Sequence, residues 1–496
     1  MEKRYIIGLD EGTTSCRCVV YDTKLNKIIS SIGKKFTQYF PKPSWVEHDA
    51  NEIWEKMLET IEESITKLKL TPKNTYGIGL TNQRESVVAW QKSTGKPVAR
   101  SIVWQCRRTA SICSKIGLRD RAKIRNKTGL IVDPYFSATK IKWLLENEQI
   151  CKDLLEQDDL CIGTMDSYIV FKLTNGKSFV TDTTNASRTM LFNIDTLTYD
   201  EWLLNYFGIP EKILPKVVSS NKIVGEFETE SGSFPIAGII GDQQASLFGQ
   251  ACFNKGMAKS TYGTGCFILS NTGNTRINSK KMLSTIAWTI NNKTTYAMEG
   301  SVFNAGSAID WMVEGAGFIE DAKLTEKYAS SIKNNEGVYL VPAFTGIGAP
   351  YWNAYSTGIL TGITRGTTKA HIARAVLESM AYNVKDILEY MQKNKVKITE
   401  LRVDGGVTKN NFLMQFQADM LNIPIHLPAN PEITVLGAIL MAGLGLGAYK
   451  SLEDIKNKIV ITKTYTPDMK DSERNKYYRG WHKAVEKCLY KEKKWG

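Results

Sequence analysis

Histidine is scarce in this sequence, with four in 496 residues, at positions 48, 371, 426 and 482. They stand far apart and make no metal-ligand spacing. The nine cysteines contain no Cys-x-x-Cys pair, so neither a thiolate zinc site nor a disulfide framework is indicated. Cys16 and Cys18 fall on one face of an expected strand and read as reduced, buried thiols, which suits a cytoplasmic protein. No apolar run reaches the ~18 uninterrupted residues of a membrane-spanning helix. The nearest, Ile433 to Tyr449, is broken by Thr434 and several glycines and reads as a buried small-residue helix and its end. The opening MEKRYIIGLD has too short an apolar stretch for a signal peptide and runs directly into a motif. The net charge of +13 is spread along the chain without a nucleic-acid-binding module, so a solvated basic surface is expected and nucleic acid is not. The basic stretch from Lys483 to Lys494 reads as a terminal helix with a solvated face.

Two familiar phosphate motifs are also missing. The nearest approach to G-x-x-x-x-G-K-[ST] is FKLTNGKS, with Phe171 in the first glycine position. GIGLTN, around Gly77 and Gly79, lacks the last glycine of G-x-G-x-x-G. A P-loop NTPase and a dinucleotide enzyme are therefore unsupported.

What is present is an alternation of strand-like and helical periods, which argues for an α/β protein. Residues 5–10 and 16–22 read as paired strands. Asn51 to Leu70 reads as an amphipathic helix with Trp54, Met57, Leu58, Ile61, Ile65 and Leu68 on one stripe. Further strands are expected over 76–80 and 86–91, helices over 138–147 and 369–391, and a strand, turn and helix through PIAGIIGDQQASLFGQ. The turn Asp10–Ser15, DEGTTS, can present backbone N–H groups and hydroxyls to phosphate oxygens. Asp10, at a strand end, can hold Mg²⁺, and Arg17 can reach the same phosphates. Taken alone, such a turn equally suits a plain polar hairpin. A second Gly/Thr turn in KSTYGTGCF suggests two related domains, 1–252 and 253–496, with a cleft between them.

The segments GLDEGTTSCR, TNQRES, IVWQCRRT, GDQQASLFGQ, KSTYGTGCF, VPAFTGIGAPYW and RVDGGVTKNNFLMQFQADML together resemble the FGGY carbohydrate kinases over nearly the whole chain. The resemblance implies a two-domain actin-like ATPase (ribonuclease H-like) fold with its active site in the interdomain cleft. It implies transfer of the γ-phosphoryl group of ATP, with Mg²⁺, to the C3 hydroxyl of glycerol. Asp242 would be the general base. Arg84, Glu85, Tyr135 and Gln243 would bind the polyol hydroxyls, and Trp104 and Phe267 would pack against its carbons. Thr13, Thr14, Ser15, Arg17, Thr264 and Gly265 would hold the phosphates, with Asp10 on Mg²⁺. Gly306, Gly406 and Asn410 would line the adenosine pocket. A homo-oligomer, with a dimer favoured, is also implied.

The sequence departs from the family in places. Glu11 stands where many members have Gln, beside the phosphates, so its charge needs screening. Asp310 stands where relatives often have Gln and is left out of the expected site. TESGSFPIAG is short and lacks the loop through which relatives bind a sugar bisphosphate, so that regulation is not expected. The rivals are a pentose, pentulose or tetritol kinase, a chaperone-type ATPase, and a pseudokinase.

Overall fold

The computed structural model describes residues 2–353 and 355–489. Two sheets dominate it. The first orders its strands Gly225–Thr229, Gly232–Gly241, Thr75–Asn82, Tyr5–Glu11, Ser15–Asp22 and Lys27–Lys35. From the Lys27–Lys35 edge inward, successive pairs are antiparallel, antiparallel, parallel, parallel and antiparallel. The second sheet repeats these five relations through Lys293–Val302, Cys266–Gly273, Met257–Tyr262, Glu400–Asp404, Ile425–Pro428 and Ile461–Tyr465. Leu283–Ile290 adds one strand outside it. The two Gly/Thr turns thus occupy equivalent positions, each joining the second and third strands counted from Lys27–Lys35 in one sheet and from Lys293–Val302 in the other.

Local chemistry sets the elements. The helix Ala50–Leu68 starts where the Asp49 carboxylate accepts from the N–H groups of Asn51 at 2.9 Å and Glu52 at 3.3 Å, a capped helix N-terminus. It ends at Lys69, in the left-handed region at φ 50°. Ile53, Met57, Ile61 and Ile65 are buried under the first sheet, and Trp54, Leu58 and Leu68 flank them. Cys16 and Cys18 join the same core, and all nine cysteines are buried and unpaired. The expected strand, turn and helix around Asp242 has no intervening turn: Gly232–Gly241 passes straight into Asp242–Gly249. The short TESGSFPIAG segment is a tight hairpin between Gly225–Thr229 and Gly232–Gly241. The basic C-terminal stretch enters the helix Asp471–Cys488, and residues 490–496 lie outside the described residues. Among the described residues, no helix is long and apolar enough to cross a membrane.

The helix Ile433–Gly445 comes late in the chain but packs on the first sheet. With the helix Asp242–Gly249 it buries Ile6, Val19, Ile240, Leu247, Val435, Ile439 and Leu440 in one core. Small residues permit the approach. A Cβ on Gly79 would stand 2.4 Å from the Ala438 carbonyl oxygen, and one on Gly437 would stand 1.9 Å from that of Ala245. Backbone atoms cannot yield as a flexible side chain would. Gly437→Ala is expected to cost roughly 1–3 kcal/mol or more, read as a fall in the thermal unfolding midpoint. A midpoint equal to that of the parent chain would contradict this packing.

Candidate active site

The site begins where the strand Thr75–Asn82 ends. Gln83 to Ser86 lead from it into Val87–Gln91, part of a smaller four-stranded sheet inserted in the first half. Glu85 adopts a left-handed backbone at φ 61°, which is rare outside glycine and a mark of functional loops. The conformation is held locally. The Ser86 N–H donates to the Arg84 carbonyl at 2.7 Å, and Ser137 Oγ and Lys140 Nζ donate to the Glu85 carbonyl at 3.1 Å each.

Arg84 is buried and reaches in several directions. Nε lies 3.1 Å from Asp242 Oδ1. Nη1 donates to Gln244 Oε1 at 3.1 Å and to Glu299 Oε2 at 2.8 Å. Nη2 donates to Glu299 Oε1 at 3.1 Å and, over a longer 3.4 Å, to the Tyr135 hydroxyl. A second buried guanidinium, Arg188, donates to Glu85 Oε1 at 2.6 Å and to Glu299 Oε1 at 3.1 Å. The result is a buried ion cluster of two arginines and two glutamates. Glu299 comes from the second sheet, so the cluster spans both halves. Burial alone would push Glu299 up, but Arg188 and Arg84 override it and hold its carboxyl down at about 2. Burial wins at Glu85, whose carboxyl is raised despite Arg84 and Arg188. Neither Arg188 nor Glu299 was among the residues expected from the sequence.

Next to this cluster three aromatic rings form a wall. Trp104 meets Tyr135 edge-on at 5.7 Å between centroids and Phe267 at 6.5 Å. Phe267 stands on the second sheet, so the wall too is built from both halves. The Trp104 indole N–H donates to Thr13 Oγ1 at 3.1 Å, tying the wall to the first Gly/Thr turn. Asp242 opens its helix, partly exposed, and one carboxylate oxygen accepts from the Gln243 N–H at 2.6 Å. The Gln243 side chain does not reach freely into the cleft: its Oε1 is taken by Lys259 Nζ.

The turn after Asp10 is closed by the Gly12 N–H donating to the Ser15 carbonyl at 3.0 Å. Thr14 is exposed on it, and Thr13 and Ser15 are partly exposed. Arg17 projects from the following strand and pairs with Glu432, just before the helix Ile433–Gly445. Asp10 is pushed up to about 7, chiefly by burial, with Asp242 and Glu432 adding and Arg17 opposing. Glu11 differs from expectation. Strand alternation turns it away from the face of Asp10, and it is fully buried. Gln83 Nε2 donates to its Oε1 at 2.5 Å and the Gln83 N–H to Oε2 at 3.2 Å. Burial raises its carboxyl above the usual range, while the two hydrogen bonds from Gln83 oppose the rise.

The second turn leaves Thr264 exposed. Gly265 is small for a reason within the chain: a Cβ there would lie 2.6 Å from the Val302 carbonyl oxygen. Gly306 likewise packs against the Gly263 carbonyl, 2.6 Å from where its Cβ would be. Gly406 opens onto empty space, following a strand end at Asp404 that pairs with Thr261. Gly306 and Gly406 thus flank the same turn from two sides. The Asn410 side chain is already occupied. Its Oδ1 caps the helix Asn411–Leu421 by accepting from the Leu413 N–H at 2.9 Å, and its Nδ2 donates to Thr325 Oγ1 at 3.2 Å.

Residues 5–249 match the N-terminal domain, and residues 258–446 the C-terminal domain, of the FGGY family of carbohydrate kinases. The chain belongs to that family. It is 49% identical over 490 residues to the glycerol kinase of Bacillus cytotoxicus, covering 97% of this chain and 98% of that one. It is 48% identical to the glycerol kinase of Bacillus subtilis, over 98% and 99% of the two chains. Among solved structures, a Plasmodium falciparum glycerol kinase with ADP superposes with a TM-score of 0.92 at 35% identity, covering 99% of each chain. A xylulose kinase from Lactobacillus acidophilus superposes at 0.87 with 26% identity, covering 97% of each. The fold is the two-domain α/β arrangement of these FGGY kinases, with the ion cluster, aromatic wall and both Gly/Thr turns lying where its halves meet.

Proposed function

We propose that this carbohydrate kinase transfers the γ-phosphoryl group of MgATP to the C3 hydroxyl of glycerol, giving sn-glycerol 3-phosphate and ADP. The observation that carries the acceptor is near-full-length identity of 48–49% to proteins named glycerol kinase. Asp242 serves as general base, accepting the hydroxyl proton as the oxygen attacks. In phosphoryl transfer most of the acceleration comes from positioning and charge neutralisation, and the carboxylate has only to accept the proton as the new bond forms.

Arg84 and Glu85 bind the remaining hydroxyls by complementary donation and acceptance. The long Arg84–Tyr135 contact is the one a hydroxyl replaces most easily. Trp104, Tyr135 and Phe267 cover the carbon chain, and Gln243 borders it. Thr13, Thr14, Ser15, Thr264 and Gly265 hold the phosphates, with Arg17 exchanging Glu432 for them. Gly306, Gly406 and Asn410 border the adenosine, Asn410 through its backbone because its side chain is engaged. Excess negative charge around Asp10, from Asp242 and Glu432, suits a divalent cation. Mg²⁺ held by Asp10 would neutralise charge on the phosphates.

The moving bodies are the halves 1–252 and 253–496, with the helix Ile433–Gly445 riding on the first. Their closure excludes water and brings the two turns together. The enzyme is cytoplasmic, and a homodimer is the assembly we favour.

A pentulose acceptor is the second reading, because a xylulose kinase shares the backbone shape. ADP release with MgATP against glycerol, erythritol, xylulose, ribulose and no acceptor separates them. Strong turnover with glycerol alone is expected. Turnover with a pentulose alone would keep the nucleotide site and overturn the acceptor.

A further inference from the structure

Lys259 stands in the middle of the strand Met257–Tyr262, among apolar and hydroxyl residues. Its side chain is completely buried. A lysine pays a large desolvation cost there unless its ammonium is well partnered. Burial lowers its pKa, with Arg84 adding to the fall, while Asp404, Asp242 and Glu299 oppose it.

The partners of Nζ reach from one half of the molecule to the other. It donates to Thr261 Oγ1 on its own strand at 2.9 Å and to Gln243 Oε1 on the helix Asp242–Gly249. The Thr261 hydroxyl is itself anchored, donating to Asp404 Oδ2 at 3.1 Å. That carboxylate also accepts from Ser246 Oγ at 2.9 Å and Gln250 Nε2 at 2.5 Å. Lys259 is therefore fixed at both ends of its reach.

The consequence lies in the Gln243 amide. An ammonium only donates, so the oxygen end of the amide must face Lys259. The NH₂ end is then turned to Asp242, where Nε2 lies 3.4 Å from Oδ2. The other carboxylate oxygen is held by the Gln243 N–H at 2.6 Å and faces Arg84 Nε at 3.1 Å. Without Lys259 the amide is free to flip and present its carbonyl to the carboxylate, a repulsive contact.

We propose that Lys259 is a positioning residue: acting through the Gln243 amide, it fixes the orientation of the Asp242 carboxylate against the acceptor hydroxyl. This rests on reading Asp242 as the base. Because Lys259 belongs to the second sheet and Asp242 to the first half, the relative placement of the halves sets the alignment of the base.

The test compares Lys259→Met, Gln243→Met and the double variant in the full chain, with MgATP and glycerol. Each single change is expected to lower kcat by about tenfold or more, with KM for glycerol and for ATP within about twofold of the parent. A residue that merely supports folding would lower the amount of active protein, and a direct substrate contact would raise KM for glycerol. The double variant is expected to fall no more than about twofold below the worse single one, because both act through one path. A Lys259→Met enzyme with parental kcat, or losses that multiply in the double variant, would overturn the proposal.

If Lys259→Met does not fold, Gln243→Met decides. Parental kcat, or a loss seen only in KM for glycerol, refutes the relay; a kcat loss at unchanged KM supports it. Asp242→Asn, run alongside, keeps the two readings apart. An active Asp242→Asn enzyme removes the base itself. An inactive one beside fully active Lys259 and Gln243 variants removes only the relay.

Discussion

Asp242→Asn is expected to lower kcat for glycerol phosphorylation by about a hundred- to ten-thousandfold, measured as ADP release at saturating MgATP. Asparagine keeps the shape and can still accept from the Gln243 N–H, so the helix start survives. What it cannot do is take a proton. Arg84 is not left alone by the change, because Glu299 and Gln244 still accept from it. Folding stability and KM for ATP should therefore stay close to the parent values, and the loss should appear almost wholly in kcat. A loss of less than about tenfold would remove Asp242 as the base and leave it as the first residue of a helix.

Glu299→Ala should instead strike stability. It takes the shared carboxylate from two buried guanidiniums and leaves them only Glu85 and the partly exposed Asp242 as acidic partners, and breaking a buried ion cluster by removing one partner typically costs about 3–5 kcal/mol. Denaturant titration of parent and variant measures this, and a difference under about 1 kcal/mol would show that the cluster tolerates the loss. The pH dependence has a definite sign. The folded carboxyl sits at about 2, below its unfolded value of about 4.3. The contribution of Glu299 is thus fully present above that unfolded value. It disappears as pH falls through about 2, and a variant without Glu299 lacks this part of the parent's acid response. Polyol affinity should fall as well, because Glu299 fixes both terminal nitrogens of Arg84.

Short-range chemistry made much of this molecule legible before its structure. The alternation around Asp10 to Ser15, the capped helix after Asp49 and the glycine-broken apolar run at Ile433 each carry a local signal, and each became the element expected. Most roles at the site came from the family resemblance, since a lone Trp104 or Phe267 reads as core. The hidden part is long-range. Glu299 meets Arg84 across 215 positions of sequence, and nothing near either residue announces the meeting. A usable signal did exist: a single charge inside an apolar strand, as in YAMEGSV or MAKSTY, must find a partner if buried. Lys259 and Glu299 both fit that description. Glu11 was misplaced for a simpler reason. It neighbours Asp10 in sequence, but alternate strand positions face opposite sides. Arg17, read as a phosphate ligand, meets the Glu432 carboxylate, which lies too far along the chain for spacing to suggest.

The late helix Ile433–Gly445 has a consequence for how the protein is made. Its place on the first sheet stays vacant while the ribosome adds some two hundred residues beyond Gly241. At about 5–20 residues per second that is roughly ten to forty seconds. Throughout this interval Ile6, Val19 and Ile240 have no Val435, Ile439 or Leu440 to cover them. Nascent chains stopped before residue 433 should therefore be held by chaperones or degraded, whereas those released after Gly445 can bury that face.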